Sequence, residues 1–594
     1  MRKFIALLCL GIMSLACQNT TYKNLTPIEK TKQLLLQNYT LFAQSTKAMD
    51  SLVRTKSDVK SIQSEFKKAR LNYKKIESIV SFYFPETTKN INGAAIDKND
   101  VEETSRKIEY ATGFQKVEEL LFSEEIDNEE LKRQIGILNG FSQSLKSNIE
   151  NLSLSDSNIF EAQKLQMVRM MSLGISGFDS PIALHSIPEA KATIESISEV
   201  ISNFTVNKNF TETITKAETY LNQNKNFNNF NRADFIVNYC IPISNSIHEI
   251  QQDLDIKANP YANAINLNTS NIFEKDAFNA DYFAPNYNQK PSAGQIALGE
   301  KLFFDPILSG DNTVSCATCH IPNQAYSDHK TKAVAGNIKS RNTPTLLNSA
   351  FQNAQFQDGR VTYLEDQAKT VINNKDEMHG SFSNALQKVK KSKTYQDNFN
   401  KVFTNEKEIT EQNLLKSLAS YVRSLSKLNA KFDNYLRGQA QLTSNEKNGF
   451  NLFMGKAKCA TCHAFPLFNG SVPPLYNDTE SEVLGVPSQN VAQNGVIDSD
   501  LGEYLITKAA LKRHAFKTPT VRNSAITFPY MHNGVFKTLE EVIEFYNRGG
   551  GVGIGINAEN QTLPSDKLNL SKAEIQDIIA FIKTLNNPEI KTNY

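Results

Sequence analysis

Tryptophan is absent from this chain of 594 residues, although it holds 35 Phe and 20 Tyr. No indole can therefore serve as a buried station for electrons, and any such relay must use another group. An excess of charge of either sign is missing too: 65 Lys and Arg face 63 Asp and Glu, a formal net charge of +2. A nearly neutral chain has no bulk basic field with which to hold nucleic acid. The long apolar run is confined to Phe4–Leu15, which is too short to stay in a bilayer as a spanning helix. With 22% charged and 40% hydrophobic residues the composition is that of a globular protein. The length is enough for roughly three to four domains of about 150 residues each.

Cysteine is scarce, and its spacing sorts it. Arg2 and Lys3 ahead of the apolar run make residues 1–16 read as an export signal. Ala16-Cys17 comes next and resembles a bacterial lipoprotein cleavage site, with Ser14 where Leu is usual. Lipid anchoring at Cys17 is the first reading and plain secretion the second; either places the chain in the bacterial periplasm or cell envelope. Cys9 leaves with the signal, and Cys240 stands alone, expected in a core. The rest form two copies of Cys-Ala-Thr-Cys-His: Cys316, Cys319 and His320, then Cys459, Cys462 and His463. This is the attachment pattern of c-type haem. Two thiols must reach two vinyl groups on one porphyrin edge while the next residue's imidazole turns under the iron. Structural zinc would need four ligands per site, and a redox pair has no use for the following His twice. Two covalent haems are expected, with His320 and His463 as proximal ligands to iron.

The surroundings of the two motifs repeat. Ser292-Ala-Gly-Gln295 and Thr443-Ser-Asn-Glu446 both read as helix N-caps with a Gln or Glu reaching back, and Leu302-Phe303 and Leu452-Phe453 then precede the Cys pairs. Each unit has a downstream amphipathic helix: Leu414, Leu418, Tyr421, Val422 and Leu425 in the first, Ile575, Ile578, Ile579, Ile582 and Leu585 in the second. The expected architecture is all-α. A helical bundle over 17–275 precedes two tandem cytochrome c-like domains over 276–436 and 437–594.

The second half resembles the bacterial di-haem cytochrome c peroxidase and MauG family. The strings that carry the likeness are Arg341-Asn-Thr-Pro-Thr345, Phe356-Gln-Asp-Gly-Arg360, Glu377-Met378, Lys517-Thr-Pro-Thr-Val-Arg-Asn523 and Pro529-Tyr-Met-His-Asn-Gly534. The resemblance implies a peroxidatic first haem and a second haem that collects electrons. It makes Glu377 the distal group that moves a proton between the two peroxide oxygens. Where family peroxidases carry a distal His, this chain has Val334, with His329 nearest. Either His329 reaches the iron by another path or the first haem is permanently five-coordinate, and the second is favoured; His379 is a further distal candidate. The sixth ligand of the second haem falls on Tyr546, as in the MauG branch, with Phe545 as the competing aromatic. A hard anionic oxygen there would favour ferric iron. Ca²⁺ between the domains is implied at Asn342, Thr527 and Pro529, with oxygen donors only. His532 is expected to hydrogen-bond near the second haem, and Arg341, Arg360, Arg522 and Arg548 are candidates for haem propionates. Gln357 stands where the family has an inter-haem Trp, which puts fast sharing of oxidising equivalents in doubt.

The first half is different. Thr26-Pro-Ile-Glu29 is a capping box with Pro at the first helical position. Val59, Ile62, Phe66, Ala69, Tyr73, Ile76, Val80 and Tyr83 then recur at helical steps. Gly113-Phe-Gln-Lys-Val-Glu118 resembles the GxHxxE signature of imelysin-like envelope proteins, with Gln115 in place of the His; a degenerate, structural or partner-binding bundle is expected. His185 and His248 are isolated. Asn222–Asn231 and Ala258–Lys290 read as loop and linker.

The leading expectation is a peroxidase that reduces hydrogen peroxide with electrons from a small cytochrome c or a cupredoxin. The alternatives are a MauG-like oxidase of a protein or other reductant, and an electron-transfer or sensing haem protein without turnover.

Overall fold

The computed structural model describes residues 25–99, 107–261, 263–285, 290–333, 341–406 and 408–590. The export signal, Cys17 and Val334 lie outside the described residues. Helix carries the fold. Strand among the described residues is limited to two antiparallel pairs, Lys98–Asn99 with Ile108–Glu109 and Ser481–Val483 with Ala515–Lys517. None of the described helices is long and apolar enough to cross a membrane.

Local signals start the bundle as expected. Thr26 Oγ1 accepts from Glu29 N at 3.2 Å while the Glu29 carboxylate accepts from Thr26 N at 2.8 Å, and the helix Pro27–Arg54 begins there. In the next helix, Val59–Tyr83, the side chains of Ile62, Phe66, Ala69, Tyr73, Ile76 and Val80 are buried. They share a core with Leu35, Phe42, Phe114 and Ile135. The same helix buries Arg70, Lys74 and Glu77. These form an internal ion network with Glu189, Asp179 and Arg169: Arg70 Nη2 meets Glu189 at 2.8 Å, Lys74 meets Glu77 at 2.8 Å, and Arg169 grips Asp179 at 2.7 and 2.9 Å. Burial opposes ionisation of Glu189, yet Arg70 overrides it and holds the pKa at about 2.

A second core joins parts of the chain that are far apart in sequence. Phe160, Met171, Ile194, Phe230, Phe235 and Ile247 of the bundle pack in one cluster with Phe432, Phe450, Phe465 and Phe581 of the C-terminal region. Arg232 pins the junction. Its guanidinium is fully buried and donates to the carbonyls of Ile175, Phe230 and Phe227 at 2.8, 3.1 and 2.9 Å. A Cβ on Gly455 would stand 2.6 Å from it. Surface ion pairs Lys89–Asp478 and Lys98–Glu480 span the same contact. The bundle therefore rests on the region of the second Cys pair.

The described residues of the segment 258–290 are largely irregular, as expected, but they form no free linker. Ile265, Leu267, Ile272, Phe273, Phe278 and Phe283 are buried in the second core, and Ile265 bridges Phe278. Turn-forming residues set the path of this stretch, and its apolar residues set its packing.

The two C-terminal units repeat one helix crossing. In the first, Gly299 on Ala293–Phe304 lies against Glu411–Ser424, where an added Cβ would meet Ser417 O at 1.9 Å. In the second, Gly449 on Ser444–Met454 lies against Lys572–Lys583, where a Cβ would meet Asp577 O at 1.9 Å. Backbone-to-backbone approach is possible only without a side chain. The caps differ. Thr443 and Glu446 form the full capping box, whereas Gln295 turns its amide away to Ser420 Oγ at 2.9 Å and leaves Ser292 to cap alone. Leu298, Leu302, Phe303, Leu418 and Tyr421 build a separate core for the first unit. Asp433, on the short helix Lys431–Leu436 between the units, is gripped by Arg522 at 2.8 and 2.9 Å, with both side chains buried.

Substitutions at both kinds of contact test them by denaturant unfolding. Gly449→Ala or Gly299→Ala must push two helices apart and is expected to cost about 1–3 kcal/mol or more, as overpacking does. Asp433→Asn strands the Arg522 guanidinium in the interior and is expected to cost about 3–5 kcal/mol. A midpoint unchanged in either variant contradicts the packing described.

Candidate functional site

Each Cys-Ala-Thr-Cys-His forms one tight turn, a helical turn at Cys316–Cys319 and a 3₁₀ turn at Cys459–Thr461. A backbone carbonyl beyond each turn fixes the imidazole. His320 Nδ1 lies 3.1 Å from Tyr326 O, and His463 Nδ1 lies 3.0 Å from Pro519 O. A carbonyl oxygen only accepts, so Nδ1 carries the hydrogen in both rings and Nε2 presents its lone pair. Burial lowers the pKa of both, that of His463 to about 4, which keeps the lone pair unprotonated. The thiols are not activated. Burial pushes Cys316 and Cys459 up to about 12 and raises Cys462 well above the usual thiol value, the reverse of what a thiolate redox pair requires. The donor set suits covalent capture of a porphyrin with axial nitrogen ligation.

The second turn opens on a cavity of about 1810 Å³ lined by Cys459, Cys462, His463 and Tyr546, with Ile182 and Leu184 of the bundle on another wall. The helix Leu539–Asn547 sorts its two aromatic neighbours. Phe545 is buried against Phe536, with ring centroids 5.2 Å apart, and Tyr546 turns to the cavity. Burial raises the Tyr546 pKa, and the nearby Cys462, Cys459 and Glu482 add to the rise. Glu482, which sequence reasoning passed over, accepts from Thr562 Oγ1 and is itself raised by burial. No local pattern marks it; it comes from pairing Ser481–Val483 with Ala515–Lys517.

Glu377 sits on the short helix Lys375–Met378, capped by Asn374, whose Nδ2 donates to Glu377 Oε1 at 3.0 Å. The turn after it is clamped to the segment that leads into the first Cys pair. Gly310 N donates to Met378 O at 2.7 Å, and a Cβ on Gly310 would meet His379 O at 1.9 Å. Met378 packs in the first unit's core, against which Cys316 also rests. Burial raises the Glu377 pKa, with Arg360 and Asn374 opposing.

Other candidate residues are engaged within the protein. His379 is exposed and pairs with Asp311 at 3.1 Å. His329 stacks on Phe528 at 4.4 Å and places Nε2 3.0 Å from Ile526 O. Asn342 Nδ2 donates to Pro529 O at 2.9 Å, and Asn342 Oδ1 accepts from Gln357 Nε2 at 2.6 Å, so two members of the expected oxygen set meet directly. Thr527 is tied by its hydroxyl to Asn523 O. His532 stacks on Phe516 at 3.8 Å and pairs with Asp498 at 3.1 Å. Each arginine offered for a propionate is engaged by a carboxylate: Arg341 by Asp500 and Asp358, Arg360 by Asp358, Arg522 by Asp433 and Arg548 by Glu544. In the bundle Gln115 and Glu118 are buried, His185 lies 3.4 Å from Glu189, and His248 Nδ1 lies 3.2 Å from Lys164 Nζ. Among the described residues no three His, Cys, Asp or Glu side chains gather as a metal site.

Residues 293–441 match the family described as di-haem cytochrome c peroxidase. The chain is 35% identical over 317 residues to cytochrome-c peroxidase IdrP1 of Pseudomonas sp. (strain SCT), covering 50% of this chain and 82% of that protein. It is 33% identical over 302 residues to methylamine utilization protein MauG of Methylophilus methylotrophus, covering 50% of this chain and 84% of that one. A solved MauG-like protein associated with microbial copper homeostasis aligns at a TM-score of 0.46 and 26% identity, over 51% of this chain and 92% of that one. Through its C-terminal half, the chain belongs to the di-haem cytochrome c peroxidase and MauG family.

Proposed function

We propose that the protein is a di-haem c-type peroxidase that reduces hydrogen peroxide to water with electrons from a small cytochrome c or a cupredoxin. It would work on the periplasmic side of a bacterial envelope, with Cys17 as the lipid anchor. The observation that carries this reading is the pair of Cys-Ala-Thr-Cys-His turns whose imidazoles are each fixed through Nδ1 by a backbone carbonyl. In this reading residues 276–436 form the peroxidatic unit and 437–594 the electron-collecting unit; their separate helix crossings support the division.

When bound, the haems supply the iron at which the peroxide oxygen–oxygen bond breaks and the store for the electrons that reduce it. Hydrogen peroxide takes up two electrons and two protons to give two waters. Glu377 accepts the proton of one peroxide oxygen and returns it to the other. Its raised pKa suits that task, because a carboxyl partly withdrawn from water gives up and regains a proton closer to neutrality. His320 and His463 keep Nε2 aimed by donating Nδ1–H to Tyr326 O and Pro519 O. Tyr546, on the wall of the same cavity as His463, would hold the second site's iron from its phenol oxygen. Its phenol would stay protonated in this buried setting without the charge of a metal beside it. Ca²⁺ at Asn342, Thr527 and Pro529 belongs to the same proposal, and it would take Asn342 Oδ1 from Gln357.

A MauG-like oxidase is the second reading, favoured by Tyr546 on the cavity wall. Against it, Gln357 is an amide held by Asn342, and an amide is not oxidised at a usable potential. A carrier without turnover has no need of a raised carboxyl such as Glu377.

Glu377→Gln is expected to lower kcat/KM for peroxide by about 10²–10⁴-fold with both haems retained by mass. In the parent, the acid limb of the pH profile should lie above the ordinary Glu value of 4.5, since the ionised form is the one that accepts the proton. A variant as active as the parent removes Glu377 from the reaction. A five-coordinate first haem would be high-spin and a second haem ligated on both faces low-spin, so Tyr546→Phe should change the magnetic spectrum of the low-spin haem alone. A His/Met signature in the parent, with Met531 or Met454 as donor, would instead exclude tyrosine ligation.

A further inference from the structure

Lys517 ends the strand Ala515–Lys517 and faces Ser481 in the register of the pair. Its backbone N–H donates to Gln357 O at 2.8 Å, which ties it to the first unit. Two residues on, Pro519 O holds His463 Nδ1 at 3.0 Å. The strand end is thereby fixed relative to the second imidazole. The Lys517 side chain lines the same cavity as Cys459, Cys462, His463 and Tyr546. Its ammonium donates to a neutral amide, Gln352 Oε1, at 3.0 Å, and among the described residues no carboxylate is paired with it. Burial lowers its pKa to about 8.

A desolvated cation without a counter-charge is costly, and structures keep one where an anion meets it. The family's arginine strings do not supply that anion's partner, because Arg341, Arg360, Arg522 and Arg548 are already neutralised by Asp or Glu. A porphyrin held through Cys459 and Cys462 brings two propionate carboxylates into this cavity. We propose that Lys517 binds a propionate of the second haem and is its electrostatic counterpart in the protein. This rests on the reading that the second Cys pair holds haem. The consequence is electronic. A positive charge beside the porphyrin stabilises the reduced state, so Lys517 offsets the preference for ferric iron that an anionic oxygen at Tyr546 imposes.

The test uses the full holoprotein and the variants Lys517→Met and Lys517→Arg, read by mass for haem content and by spectroelectrochemical titration of the low-spin haem. Lys517→Met, with two haems, should shift that haem's reduction equilibrium about tenfold toward the oxidised form, about 59 mV for one electron. Lys517→Arg should stay within about twofold of the parent, since it keeps the charge. A Met variant with both haems and an unmoved low-spin haem overturns the proposal. If Lys517→Met does not mature, Lys517→Gln is added. Maturation of the Arg variant and of neither neutral one supports a requirement for charge; failure of all three shows a role in shape and overturns it. A parent protein lacking the mass of a second porphyrin sinks the haem reading itself, a result distinct from any shift in potential.

Discussion

The site depends on one kind of hydrogen bond made twice. An imidazole after a Cys-x-x-Cys turn can rotate, and either nitrogen can carry the proton. Tyr326 O and Pro519 O remove both freedoms, since a carbonyl accepts only from a protonated Nδ1. Each carbonyl belongs to a different kind of neighbour. Tyr326 lies six residues on from His320, in the loop that closes the same turn, whereas Pro519 lies 56 residues on from His463 and comes just after the strand Ala515–Lys517, which pairs with Ser481–Val483. The first ring is therefore held locally and the second by tertiary structure. Anything that shifts Ala515–Lys517 shifts the aim of His463 with it.

Around these fixed rings, charge is arranged in two ways. Deep in the bundle, Arg70, Lys74 and Arg169 are matched by Glu189, Glu77 and Asp179, so the network is closed and holds helices at set angles. Near the second Cys pair the matching is incomplete: Glu482 and Tyr546 are both pushed toward their neutral forms by burial, and Lys517 is pushed the same way. Closed networks specify structure, while groups whose charge is suppressed respond to whatever binds beside them.

Much of this was legible in the residue order because the chemistry is local. The Cys-Ala-Thr-Cys-His turns, the Thr26 capping box and the apolar stripe from Ile62 to Val80 each lie within a few turns of chain, and each folds as its pattern implies. Tyr546 facing the cavity while Phe545 fills the core is a result of their adjacent positions on one helix. Four things were not legible. Arg70, Lys74 and Glu77 look like a solvated face until Asp179 and Glu189 arrive from distant segments. Gln295 has the spacing of a capping box, but Ser420 competes for its amide. The segment 258–290 shows its turn formers more plainly than its buried Phe273, Phe278 and Phe283. Packing of the bundle on the region of the second Cys pair is a property of surfaces that have no signature in residue order.

That last arrangement governs assembly. Phe160, Ile194, Phe235 and Ile247 are made early, yet the aromatic residues that cover their cluster, Phe432 to Phe581, are made last. A ribosome or an export channel releases the bundle with a greasy flank uncovered. The flank must stay shielded from other chains until the helix Lys572–Lys583 has emerged. The docked bundle also lines the cavity on which Cys459 and Cys462 open, so the cover of the apolar flank and one wall of that cavity arrive together.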